Sequence, residues 1–185
     1  MLISFTGAQC TGKSTLLKKM FQDEKYRKCT FIKEVTRKVA SKGHMINDSG
    51  NDITQLMILN EHLNNHMLTG CTVLDRCILD GLIYTQWLHE NNKVSKWVLE
   101  YARNLHHILV EKLDVIFYTD PIGIELVDDG QRSINEQFRN DIITSYNTYF
   151  KMYPEVRDKT VVLSGNVESR YKQIKQTFKN YEQVR

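Results

Sequence analysis

The chain has no apolar run approaching the roughly 18 residues that a membrane-spanning helix needs. It holds only two prolines, Pro121 and Pro154, and no repeat, low-complexity tract or proline-rich linker. A membrane span, a repeat array and a string of linked modules are therefore not expected. The four cysteines, Cys10, Cys29, Cys71 and Cys77, form no C-x-x-C pair, and the six histidines show no metal-ligand spacing. Free thiols and a cytoplasmic location are the expectation. The first residues pass straight into a short apolar stretch, without the basic segment and long apolar run of a secretory leader. No N-K-x-D guanine signature occurs either, which argues against a guanine-nucleotide switch.

What is present belongs to a globular chain: 185 residues, 41% hydrophobic and 25% charged, enough for one domain spanning 1–185. One stretch is highly constrained. "GAQCTGKS" follows the apolar run "LISFT" and has the spacing G-x-x-x-x-G-K-S from Gly7 to Ser14. Gly7 and Gly12 let the backbone turn where a Cβ would clash, so the N–H groups of Ala8, Gln9, Cys10, Thr11 and their neighbours converge on one concavity. The helix expected from Lys13, with Ser14 and Thr15 in its first turn, adds the positive end of its dipole. Such a cup suits a polyphosphate, with Lys13 reaching the β/γ-phosphates and the Ser14 hydroxyl on a bound magnesium ion. This is the pattern of a nucleoside-triphosphate site.

The net charge of +3 is unevenly spread. Residues 1–42 carry ten Lys/Arg against three acids, and 151–185 carry eight against four, so the middle of the chain is acidic. A basic region around a phosphate loop fits an anionic nucleotide partner.

Short apolar runs at 2–6, 30–34, 72–76, 114–119 and 160–164 read as strands. Helical spacing fills 13–23, 35–42, 52–68, 79–91, 95–111, 135–152 and 167–181. Strands alternating with helices mean an α/β fold in three layers, a five-stranded parallel sheet covered on both faces. Ligands in such sheets bind beyond the carboxyl ends of the strands, so the polar residues there are the candidates. The second strand ends in "KEVTR". Glu34 reads as a general base or magnesium partner on a strand expected to adjoin the phosphate-loop strand, and Arg37 as an acceptor contact. The third ends in "TVLDR", placing Asp75 near magnesium and Arg76 near the acceptor. After the fourth, residues 121–135 read as a lid that brings Arg132, with Arg139 beyond it, onto the transferring phosphate. After the fifth, Gly165 and Asn166 read as packing on the nucleotide base, with Arg170 following on the helix.

The segments "FTGAQCTGKSTL", "KEVTR", "TQLMILNEHL", "TVLDR" and "VDDGQRS" occur in an order that resembles the nicotinamide-riboside-kinase-like P-loop kinases, the NadR-type AAA group. Deoxynucleoside and thymidylate kinases, several of them viral, are relatives of that group. The resemblance implies a P-loop fold, ATP and Mg2+, phosphates on Gly7–Ser14, Glu34 and Asp75 facing the reacting hydroxyl and the metal, and Arg132 in a lid. "LDRCILDG" is nearer to the motif of the deoxynucleoside and thymidylate kinases. The expectation is a kinase, monomeric or homodimeric and without a membrane partner, acting on a nucleoside-like or nucleotide-like acceptor. Two alternatives stand beside it: a kinase acting on a hydroxyl of a modified base in DNA, such as a 5-hydroxymethylpyrimidine, and a nucleotide-driven switch or ATPase with no acceptor.

Overall fold

The computed structural model describes residues 1–123 and 135–184. Five strands, β1 (Leu2–Thr6), β2 (Thr30–Ile32), β3 (Thr72–Asp75), β4 (Val115–Thr119) and β5 (Thr160–Leu163), form one sheet in the order β2-β3-β1-β4-β5. Every neighbouring pair is parallel. The connections are helical: α1 (Lys13–Gln22), α2 (Val35–Ala40), α3 (Asp52–His66), α4 (Ile78–Glu90), α5 (Lys96–Leu109), α6 (Glu136–Met152), the short α7 (Pro154–Asp158) and α8 (Val167–Val184). The separate α7 was not expected; Pro154 takes its first turn, where a missing N–H costs nothing.

Alternate strand residues feed two cores. Ile3, Phe5, Val73, Val115 and Phe117 pack under α1 and α8 with Leu16, Met20, Ile174 and Phe178. Leu2, Leu74, Ile116 and Tyr118 face the other way, against Leu59, Ile78, Leu82, Leu105 and Tyr146 of α3–α6. The period-2 alternation of a strand buried on both faces produces this division.

The strand order corrects one expectation, because β2 does not adjoin β1 and β3 lies between them. Burial explains the order. Thr72, Val73 and Leu74 of β3 are all buried, whereas β2 has three residues, none of them buried, and so takes an edge.

The cysteines correct a second. Cys29 and Cys71 form a disulfide across 42 positions, with Cα atoms 4.6 Å apart. The register that pairs Thr30 with Thr72 sets the two preceding residues side by side. No local spacing announces such a pair. Cys10 and Cys77 are buried and outside any disulfide. Among the described residues no helix is long and apolar enough to cross a membrane.

Candidate active site

β1 delivers the chain into the loop at Gly7, whose φ is +133°. A Cβ there would lie 2.8 Å from Thr119 Oγ1 and 3.1 Å from the Thr119 carbonyl oxygen. Only glycine fits that approach. Gly12 precedes α1 with φ +86°. Ser14 and Thr15 are exposed in the first turn of α1, while Ala8, Gln9, Cys10 and Thr11 of the loop itself are buried. The loop is braced by Thr11, which meets Thr119 Oγ1 at 2.6 Å and donates to the Ala8 carbonyl at 2.9 Å.

Lys13 is folded back under this loop. Its Nζ donates to the carbonyls of Gly7 (2.8 Å) and Ala8 (2.6 Å) and to Thr11 Oγ1 (3.2 Å). Burial, and then the nearby Arg76 charge, brings its pKa down to about 7. An anion in the loop would offset both effects by supplying a counter-charge.

Arg170 on α8 is buried and ties three segments together. It donates to the carbonyls of Thr11 (2.9 Å), Asp120 (2.8 Å) and Gly165 (2.8 Å). Gly165 is thereby held to the phosphate loop, whereas the Asn166 side chain accepts from Ser169 N–H at 2.9 Å and caps α8.

On the other side of the loop stands a buried ion cluster. Glu34, just before α2, accepts from Arg76 Nε at 2.6 Å and from Arg37 Nε at 3.2 Å. Arg76 also donates to Asp80 (2.7 Å), to the Gly7 carbonyl (3.1 Å) and to Tyr84 OH (3.3 Å). Burial opposes its charge, but Tyr84, Glu34 and Asp80 outweigh it and hold the guanidinium above its ordinary range. Its backbone adopts φ +73°, a strained conformation for a residue with a side chain. It is held there by its N–H bond to the Phe5 carbonyl at 2.9 Å and by the four side-chain contacts.

Asp80 is satisfied on both oxygens, by Thr6 Oγ1 (2.7 Å) and Cys77 N–H (3.0 Å) on one, and by Arg76 and Tyr146 OH (2.8 Å) on the other. Tyr146 in turn receives Gly7 N–H at 3.3 Å. The helix that follows the expected lid is thus bonded to the first glycine of the phosphate loop. Arg139, on the same helix, donates to the Gln9 carbonyl at 3.4 Å.

Asp75 ends β3 on the α1 side of the sheet. Its Oδ1 is buried with no hydrogen-bond partner. Burial, followed by the Glu34 charge, pushes its pKa up to about 6. Ser14 lines the same cleft. Among the described residues no group of three or more His, Cys, Asp or Glu is placed to hold a metal. One carboxylate and one hydroxyl beside a polyphosphate are nevertheless the protein ligands that magnesium ordinarily takes, the phosphates and water supplying the rest. The orphaned, desolvated carboxylate fits a cation.

A narrow, partly open cleft with a cavity volume of about 20 Å³ adjoins the Arg76 cluster, walled by Thr36, Asn47, Gln55, Ile58, His62, Gly81 and Tyr84. The reciprocal cap of Asn51 and Thr54 fixes where α3 starts, so Gln55, Ile58 and His62 fall on one face at i, i+3 and i+7. Gln55 Oε1 accepts from Thr85 Oγ1 at 3.0 Å. Burial, and then His66, pushes His62 down to about 3, leaving its ring neutral.

Of the sequence-chosen residues, Glu34 contacts both Arg37 and Arg76, and Asp75 and Ser14 line one cleft beside α1. Arg132 and most of the expected lid lie outside the described residues. Asp80, Tyr84, Gln55, His62 and Tyr146 were missed. The first two follow Arg76 at i+4 and i+8, a helical spacing that would have marked them; Tyr146 gave no local signal.

A phosphate loop between β1 and α1, a second carboxylate at the end of β3 and a parallel sheet ordered 2-3-1-4-5 define the P-loop kinase fold. A family model described as an AAA domain matches residues 2–170, and the chain belongs to that family. No curated protein matches. Among solved structures the chain is similar to deoxyadenosine kinase from M. mycoides with dCMP and dCDP bound (TM-score 0.73, 16% identity, covering 98% of this chain and 100% of that one). It is also similar to the NadR protein in complex with NR (TM-score 0.69, 16% identity, 93% of this chain but 51% of that one). A third is thymidylate kinase from Candida albicans (TM-score 0.64, 14% identity, 98% and 92%). At such identities the likeness is one of fold.

Proposed function

We propose that the protein is an ATP- and Mg2+-dependent kinase that transfers the γ-phosphoryl group to a hydroxyl of a nucleoside-like or nucleotide-like acceptor. The observation that carries this reading is the Glu34–Arg76–Asp80 cluster, bonded to the Gly7 carbonyl, whose Arg76 and Asp80 line a partly open cleft between α3 and α4. A switch or simple ATPase needs no such second chamber beside its phosphates.

ATP lies with its phosphates on Gly7–Ser14, where Lys13 turns from the loop carbonyls toward the β/γ-phosphates. Arg170 keeps Thr11 and Gly165 in register for the nucleotide. Ser14 and Asp75 would hold magnesium, which would supply positive charge against the phosphate oxygens. The acceptor occupies the cavity between α3 and α4, with Gln55 and the neutral His62 ring as polar contacts and Tyr84 as an aromatic wall. Arg76 fixes one Glu34 oxygen; the other, held by the half-exposed Arg37, takes the hydroxyl proton. The acceptor oxygen then bonds to the γ-phosphorus, the bond from that phosphorus to the β,γ-bridging oxygen breaks, and ADP leaves. Positioning and charge stabilisation supply most of the acceleration in such transfers.

Purified protein with radiolabelled ATP, tested against nucleosides, nucleoside monophosphates and DNA containing modified bases, tests this reading. Label on an acceptor supports it. ATP hydrolysis with no labelled acceptor overturns it in favour of an ATPase.

A further inference from the structure

The α1 face of the sheet carries a second cleft. Because β2 is a three-residue edge strand, α1 covers β1 and β3 but leaves the side of β2 that bears Phe31 and Lys33 partly open. The cleft has a volume of about 320 Å³. Ser14 and Asp75 line one end, Phe21 and Phe31 supply aromatic surface, and the exposed Lys18 and Lys33 flank them. The two rings meet edge to face at 5.4 Å with an interplanar angle of 87°. Phe21 nonetheless remains 69% exposed. A large aromatic left this open on α1, between lysines, offers a stacking platform beside phosphate-binding charges.

Its position indicates the occupant. The acceptor cleft lies among α3 and α4 on the opposite face, and chain neighbours just past the strand ends line the two clefts, Lys33 and Asp75 the one and Thr36 and Arg76 the other. A chain of nucleotides spans both, with one residue in the cavity, its neighbour's base against Phe21 and Phe31, and backbone phosphate near Lys18 and Lys33. The ten basic against three acidic residues up to position 42 match that charge.

We propose that the Phe21–Phe31 cleft binds a nucleotide of a single-stranded nucleic acid whose chain continues into the acceptor cavity, so that the phosphorylated hydroxyl belongs to a polynucleotide. This deepens the kinase reading and rests on it, through the placement of the transferred phosphate near Ser14 and Asp75.

The test is fluorescence anisotropy with labelled 12-nucleotide single-stranded DNA and RNA, run beside ATP-dependent labelling of free nucleosides and of the same oligonucleotides. Wild type should bind an oligonucleotide with an affinity that falls with salt and should label it. Phe21→Ala should weaken binding by about 5- to 150-fold, the range for losing one stacked base, with nucleoside labelling unchanged. Replacing both Lys18 and Lys33 with Glu should flatten the salt dependence by at least the share of two phosphate contacts. Nucleoside labelling without oligonucleotide binding, or oligonucleotide binding indifferent to Phe21, overturns this inference and leaves the kinase reading standing. Binding without transfer to any acceptor overturns the kinase reading itself. Self-association that Phe21→Ala abolishes, with no oligonucleotide bound, shows a second copy in the cleft and overturns the inference.

Discussion

Asp75→Asn should make the nucleotide-free protein more stable at pH 8 while disabling it. The carboxyl loses solvent at the end of β3, keeps one oxygen without a partner and faces the Glu34 charge, which together raise it from 3.8 to about 6. The folded state therefore binds its proton more tightly than the unfolded chain does. Its stabilising share is full below about pH 4, declines as pH rises, and is gone above about pH 6. A shift of about two units corresponds to about 3 kcal/mol. An amide in the same place loses about as much hydration as the neutral acid does, so the net gain for Asp75→Asn at pH 8 is about 2–3 kcal/mol. Denaturant titrations of both proteins at pH 4 and pH 8 measure it: the difference should be near zero at pH 4 and appear at pH 8. Added Mg2+ and ATP should stabilise wild type and leave the variant much less affected, because the cation that discharges the carboxylate has lost its ligand. A variant equal to or weaker than wild type at pH 8, or a gain of the same size at both pH values, would refute the picture of a desolvated carboxylate awaiting a cation.

Arg170→Lys should raise the KM for ATP by about 10-fold or more with a smaller loss in kcat, since an ammonium cannot bridge the Thr11, Asp120 and Gly165 carbonyls at once; equal falls in both constants would place Arg170 in the transfer step instead. Cys29→Ser should lower the stability of the oxidised protein by about 4 kcal/mol, the loop-closure value for a separation of 42 residues. Reductant should do the same to wild type and nothing further to the variant; a wild-type unfolding midpoint that ignores reductant contradicts the prediction.

The phosphate loop was legible because its chemistry is contained in eight consecutive residues, and the α/β class because each strand is a short apolar run between helical segments. Glu34, Arg37, Asp75 and Arg76 were legible for a related reason: in parallel sheets the ligand lies where strands end, and each of them stands there. What depended on which strands are neighbours was hidden. The place of β3 between β1 and β2 follows from relative burial, and the Cys29–Cys71 pair follows from the register that this order creates. Tyr146 reaches Gly7 and Asp80 from α6 across 139 and 66 positions, and nothing around it distinguishes it from an ordinary core tyrosine. Gln55 and His62 carry no local signal either; they are buried where α3 and α4 pack together.

The central claim is that Glu34 accepts the proton of an acceptor hydroxyl beside the phosphate loop. The measurement that tests it most directly is steady-state transfer from radiolabelled ATP to the best acceptor by wild type and Glu34→Gln, with nucleotide binding measured in parallel. The amide keeps the size of the side chain, and Asp80 still pairs with Arg76, so ATP should bind as before. The account predicts a kcat lower by about 10²-fold or more, the usual contribution of a positioned base, and no rescue by extra Mg2+. A kcat within a few-fold of wild type, or one restored by raised Mg2+, would contradict it and move the catalytic role to Asp75.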